Sequence, residues 1–139
     1  MVSPDDCLLC LRYSSEHAHY TVDGGVAVIT IDHPPVNAMT PAVAVGIVAG
    51  LARAAGDDAV RAVVLNAAGA TFMAGADIKD FADADSTARL LAGFASVARA
   101  LEDCPKPVVA ALHGFTLGGG MEIAMAAHYR VIASGARVG

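Results

Sequence analysis

Residues 107–126 read PVVAALHGFTLGGGMEIAMA: an apolar run, a short loop, three consecutive glycines and a second apolar run. A continuous apolar segment of strand length, bounded by Pro and Gly, is the pattern of a strand covered on both faces. That environment belongs to parallel sheets, whose neighbouring strands are joined by crossovers that are usually helical. The glycines therefore mark the hand-over from strand to helix. This strand–glycine–helix order restricts the fold more than any other feature of the chain.

The same order recurs upstream. GVAVITID (25–32) is β-branched and reads as a strand; HPPVNAM follows as a turn, and Pro41–Ala55 as a helix with Val43, Ile47, Leu51 and Ala54 on one face and Gly56 as its stop. VRAVVLNA (60–67) is a second buried strand, and GATFMAGADIKDF is a loop turning into a short helix. Ser86–Asp103 is the clearest helix, because Leu90, Phe94, Val97 and Leu101 recur at helical spacing. HYRVIAS, after the glycine helix, is a further strand. Strands alternating with helices predict an α/β domain with parallel neighbours.

At 139 residues the length suits a single domain. With 55% hydrophobic and 17% charged residues the chain is globular. Its mean hydropathy of +0.54 is high for a complete soluble domain, so part of its apolar surface is expected to pack against something outside these residues. Residues 1–19 mix charge, Cys and His without a sustained period and read as an extension, possible disorder included, with the regular domain running over 20–139.

A net charge of −5 and the lack of a basic stripe argue against nucleic-acid binding. The longest clean apolar segment, Ala42–Ala52, is too short to span a bilayer, and the N-terminus lacks the charged-then-apolar pattern of a secretory leader. Three cysteines, an odd number, fit a reducing compartment, which points to the cytoplasm. Cys7, Cys10, His17 and His19 have the ligand types for zinc, but the histidine spacing is wrong for a finger, and no metal is expected.

A glycine run before a helix permits unusual backbone angles and lets a ligand approach the main chain. The first N–H groups of the helix lack intrahelical partners and carry the positive end of its dipole. Gly119 is thus placed to offer a bare N–H to an anion; a tight turn with close packing is the competing explanation. FMAGADIKDF is a second loop that follows a strand. On parallel strands of one sheet, two such loops can bring two N–H groups to one point at the carboxyl edge, making an oxyanion hole worth about 3 kcal/mol per donor.

HPPVNAM, FMAGADIKDF and KPVVAALHGFTLGGGMEIAMAAHYRVI, in this order, resemble the enoyl-CoA hydratase/isomerase (crotonase) superfamily over Tyr20–Gly139. Within it, the pattern looks most like the hydratase domain of multifunctional fatty-acid oxidation enzymes. The resemblance implies the N-terminal part of a crotonase-like spiral of β-β-α units and an acyl-CoA thioester as substrate. It also implies a homo-oligomer, a trimer or hexamer, and no separate cofactor, since coenzyme A is part of the substrate. It makes the N–H groups of Ala76 and Gly119 the oxyanion donors. Ala74, Gly75, Asp77, Ile78, Lys79 and Gly118 join them in lining the substrate, with Lys79 near phosphate.

By the same resemblance Glu122 is the acid–base residue that holds and activates water for addition to a trans-2-enoyl thioester; a first-turn acid that only complements the helix dipole is the alternative. His113 and His128 are expected to pack rather than to act as bases, and Asp77 to cap its loop. The family's second glutamate, in a Pro-Glu pair, is expected shortly beyond Gly139. Two functions therefore stand at this stage: the N-terminal part of an enoyl-CoA hydratase, with isomerase as a variant, or a catalytically incompetent acyl-CoA-binding or assembly module.

Overall fold

The computed structural model describes residues 16–139; Cys7 and Cys10 lie outside them. The chain opens with a hairpin, β1 (Ala18–Asp23) and β2 (Val26–Ile31), paired antiparallel across a two-residue turn. Gly24 and Gly25 both take positive φ, +55° and +80°, as the tightest hairpin turns require. The pattern reading had no strand over β1, which starts at Ala18, ahead of the expected Tyr20 boundary. Its residues are mostly exposed, so no apolar alternation announces it.

Four strands then form the expected parallel array. β3 (Ala62–Ala67) pairs with β2, β4 (Val108–Leu112) with β3, and β6 (Tyr129–Ile132) with β4, giving the order β1-β2-β3-β4-β6. The register aligns Ala27 with Val63 and Ile29 with Leu65, and these are matched by Val108 and Ala110 on β4. All of them are fully buried.

Helix α1 (Pro41–Gly56) covers that face at β1 and β2. Thr40 caps it by accepting from the Val43 N–H, and Pro41 occupies the first turn, where its missing N–H costs nothing. Val43, Ile47, Leu51 and Ala54 are all buried, as their spacing predicts. Gly50 faces the sheet so closely that a Cβ there would lie 2.9 Å from Ile29 Cδ1.

Helix α2 (Ala84–Glu102) packs on α1 and on α3 (Gly119–Ala126). It starts two residues before the expected Ser86, because the Asp83 carboxylate caps it by accepting from the Ser86 N–H at 2.8 Å. The expected short helix after the first loop is a single 3-10 turn, Ile78–Phe81.

A second, smaller sheet stands at the carboxyl ends of the main strands. β5 (Phe115–Thr116) pairs in parallel with β7 (Arg137–Val138), and single bridges join Met73 to Thr116 and Met39 to Ala76. At the far edge of the main sheet, Tyr129, Val131 and Ile132 of β6 are exposed, and Met125, near the end of α3, is exposed as well. This edge is one of several places where apolar side chains reach the surface; Ile78, Phe81 and Leu91 are others.

Candidate functional site

The two loops singled out in the sequence meet. The first follows β3 and runs from Ala68 to Asp77; the second joins β4 to α3 through β5. Met73 N–H donates to Phe115 O at 3.2 Å, and Leu117 N–H donates to Met73 O at 3.0 Å, so the loops lie side by side as short parallel strands. Gly75 comes against the second loop: a Cβ there would sit 3.4 Å from Leu117 O and 3.9 Å from Gly119 N.

The three glycines serve three different purposes. Gly118 has φ +52° and ψ −124°, a combination open to glycine and barred to side-chain-bearing residues, although no neighbour would obstruct a Cβ. Gly119 is crowded by a side chain, because a Cβ would lie 2.5 Å from the far edge of the Phe94 ring on α2, which would have to move aside. Gly120 is more severely confined, with a Cβ position 2.3 Å from the Met73 carbonyl oxygen. Close packing, the competing explanation for the triplet, thus accounts for two glycines and backbone angle for the third. Neither explanation removes the anion-binding reading, because both leave one amide unused.

That amide is Gly119. Gly118 N–H donates to Gly139 O at 2.7 Å, and Gly120 N–H donates to Leu117 O at 2.9 Å. The Met121 and Glu122 N–H groups donate to Gly118 O. Among the described residues nothing accepts from Gly119 N–H, the first residue of α3. On the first loop the pattern repeats. Ala74 N–H donates to Val36 O, Gly75 O accepts from Met39 N–H, and Asp77 N–H donates to Met39 O. The Gly75 and Ala76 N–H groups between them donate to no acceptor among the described residues, and the Met39 bonds on either side of Ala76 turn its N–H away from residues 36–39. Ala76 and Gly119 thus each offer an unused donor beside the place where the loops touch.

Glu122 lies in the first turn of α3, with its side chain exposed and in no ion pair among the described residues. Of the residues expected to bind substrate, Ala76, Asp77, Ile78 and Lys79 line a cleft of about 400 Å³ beside the first loop together with His33, Pro34, Pro35, Val36 and Ala38, whereas Ala74, Gly75 and Gly118 do not line it. Ile78 is 84% exposed, an unusual state for an isoleucine and one suited to a flat apolar ligand surface. Lys79 is exposed along the same cleft, and Asp77 caps the 3-10 turn by accepting from the Lys79 N–H at 3.0 Å.

The histidines are held by backbone. His113 Nε2 lies 2.9 Å from Gly69 O, and His128 Nδ1 accepts from the Val108 N–H at 2.9 Å, away from the loops. Of the four residues weighed as zinc ligands, only the two histidines are described: His19 Nε2 pairs with Asp32 at 3.1 Å, and the His17 ring packs at a tilt of 51° against His33 with centroids 4.5 Å apart. Among the described residues no cluster of three His, Cys, Asp or Glu side chains exists, and no helix is long and apolar enough to cross a membrane.

Residues 21–139 match the family described as enoyl-CoA hydratase/isomerase. The chain belongs to that family. It is 40% identical over 122 residues to a probable enoyl-CoA hydratase of Bacillus subtilis (strain 168), a match covering 85% of this chain and 47% of that protein. It is 39% identical over 123 residues to the peroxisomal bifunctional enzyme of Homo sapiens, covering 88% of this chain and 17% of that one. Among solved structures, Pseudomonas aeruginosa DspI superposes with a TM-score of 0.86 at 29% identity, over 91% of this chain and 53% of that chain. An enoyl-CoA hydratase from Bacillus anthracis superposes with a TM-score of 0.84 at 26% identity, over 89% and 50%. The fold is therefore the family's crotonase fold, and the chain spans about half the length of the Bacillus subtilis relative.

Two contributors to the site were not read from the sequence. Phe94 is in the helical pattern of α2 but is only half-buried, because its ring reaches the underside of Gly119. Asn37, inside HPPVNAM, is 3% exposed and hydrogen-bonded at both ends of its amide. A polar residue in an apolar turn was the available signal.

Proposed function

We propose that the chain carries the thioester-binding part of an enoyl-CoA hydratase, which adds water across the double bond of trans-2-enoyl-CoA. The observation that carries this reading is the pair of unused N–H groups, Ala76 and Gly119, on two loops that touch at Gly75. Donors at that point stabilise the negative charge that builds on the thioester oxygen as the enolate forms. Their rigid backbone setting spares the reorganisation that water would need.

In this reading Glu122 holds the attacking water and takes its proton. Its first-turn place on α3 sets the carboxylate at the positive end of the helix, one turn from Gly119. The cleft along Ala76, Ile78 and Lys79 takes the coenzyme A portion, with the Lys79 ammonium toward phosphate. Coenzyme A arrives with the substrate, so the reaction needs no other cofactor. A glutamate at position 122 favours hydration over simple isomerisation, and the homo-oligomer is part of the same reading.

The test is crotonyl-CoA hydration by the full-length protein, followed as loss of the enoyl absorbance. Glu122→Gln is expected to lower turnover by about 10² to 10⁴, the usual contribution of general acid–base catalysis, while acyl-CoA still binds. Unchanged turnover in Glu122→Gln would refute the base assignment. Acyl-CoA binding without turnover in the unmodified protein would favour the incompetent binding module.

A further inference from the structure

Asn37 lies in the left-handed region, φ +52°, the only described non-glycine residue there. Its side chain makes three hydrogen bonds. Oδ1 accepts from the His33 N–H at 2.7 Å, and Nδ2 donates to Ala68 O at 2.8 Å and to Thr71 O at 2.7 Å. Both amide hydrogens are thus spent on the first loop, at the two points where it leaves β3 and turns toward Met73. The oxygen is spent on closing the 33–37 turn, which Asn37 N–H also closes by donating to His33 O at 2.8 Å.

From Asn37 onward the two segments run as a ladder. The bonds Ala74 N–H to Val36 O, Met39 N–H to Gly75 O and Asp77 N–H to Met39 O fix residues 74, 75 and 77 against 36–39. Bonds on both sides of Ala76 go to Met39, so Ala76 N–H points away from that segment, as alternate groups of a strand do. The direction of this free donor is set by where 36–39 lies relative to 68–71. Asn37 is the side chain that ties them.

We propose that Asn37 is a positioning residue for the Ala76 amide, acting through the Ala68–Asp77 loop without touching substrate; the role rests on the oxyanion reading above. No other side chain fits all the demands. Aspartate keeps the acceptor for His33 N–H but loses both donors and sets a negative charge against two carbonyls. Glycine keeps the backbone angle and loses every side-chain bond. Glutamine has the groups, but its longer chain cannot place them from the same backbone position.

The experiment uses the full-length protein and a saturated acyl-CoA labelled with ¹³C at the thioester carbonyl. Difference infrared spectroscopy reads how far binding lowers the carbonyl stretch, a direct measure of oxyanion hydrogen bonding. In the unmodified protein and in Glu122→Gln the band is expected to fall by the same amount. In Asn37→Asp and Asn37→Gly most of that fall is expected to vanish, and kcat for crotonyl-CoA to drop about 10², as for loss of one oxyanion donor, with KM changed far less. A full carbonyl shift in folded Asn37 variants would overturn the positioning role and leave the oxyanion reading standing. No shift in the unmodified protein would remove the oxyanion reading itself. Failure of both Asn37 variants to fold would make the residue a determinant of the fold rather than of the site, and would also overturn the proposal.

Discussion

The two loops of the site reach the same end by different physical means. The first, Ala68–Asp77, is held by polar bonds: Asn37 ties its start, and a main-chain ladder to residues 36–39 ties its end. The second, Gly114–Gly120, is also bonded through its main chain, to Met73 and to β7, but its glycines are confined by steric contact: the Ala70 carbonyl faces Gly114, the Met73 carbonyl Gly120 and the Phe94 ring Gly119. Each presents an unused amide beside the point of contact, Ala76 on the first and Gly119 on the second. A polar tether tolerates added volume but not lost hydrogen-bonding groups, whereas a close-packed loop tolerates polar change but not a methyl group. The two regions should therefore fail under opposite kinds of substitution.

Gly120→Ala is the strongest test. Its Cβ would meet backbone that cannot step aside, so overpacking is expected to destabilise the protein by about 3 kcal/mol, read as a shift in the urea midpoint. Stability within experimental error of the unmodified protein would break the steric account of the second loop. The matched change in the first loop, Gly69→Ala, meets no atom within 4 Å and carries only the strain of φ +75°. Its expected cost is about 1–2 kcal/mol, with crotonyl-CoA turnover unchanged.

Gly119→Ala falls between the loops in kind. The obstruction is the edge of a half-buried phenyl ring, which can swing, so the stability loss is expected to be about 1 kcal/mol, the lower end of overpacking. The effect on turnover should exceed that on stability, because the amide moves with the ring. Relief by Phe94→Leu in the double variant, measured as recovered kcat, would sharpen the assignment of Phe94 as the support beneath Gly119. Equal loss with and without Phe94 would break it.

The smallest expected effect is one of pH. The carboxyl of Asp83 is held below its ordinary value, first by the Ser86 backbone N–H and then by the Ser86 hydroxyl. A lowered folded-state value means that the cap stabilises α2 fully above the unfolded value, near 3.8, and loses that contribution as pH falls through the lower folded value. Because α2 supports Gly119 through Phe94, acid below about pH 3.8 should loosen the second loop before the first, seen as a larger gain in amide exchange at Gly120 than at Ala74, whose N–H groups are both hydrogen-bonded. Asp83→Asn, which keeps a capping oxygen, is expected to abolish that difference.

The amino-acid sequence by itself determined what depends on local order and on burial. Strands over 25–32, 60–67 and 107–114 were legible as continuous apolar runs, although only alternate residues, such as Ala27, Ile29 and Ile31, are fully buried and the other face is partly exposed. The faces of α1 and α2 were legible because core positions recur with the helical period. The motif residues pointed to the two loops in advance. What the tertiary structure decided were contacts between segments far apart in the chain. Phe94 reads as an ordinary core position of α2, and only the crossing of α2 beneath the glycine loop brings its ring to Gly119. Asn37 reads as a turn residue, and only the approach of the loop after β3 supplies carbonyls for its amide. Of the three consecutive glycines, Gly120 is required by the Met73 backbone, Gly119 is crowded by the movable Phe94 ring, and Gly118 is required by its own backbone angle. No local pattern separates those causes, because steric exclusion by a distant atom leaves no period in the sequence.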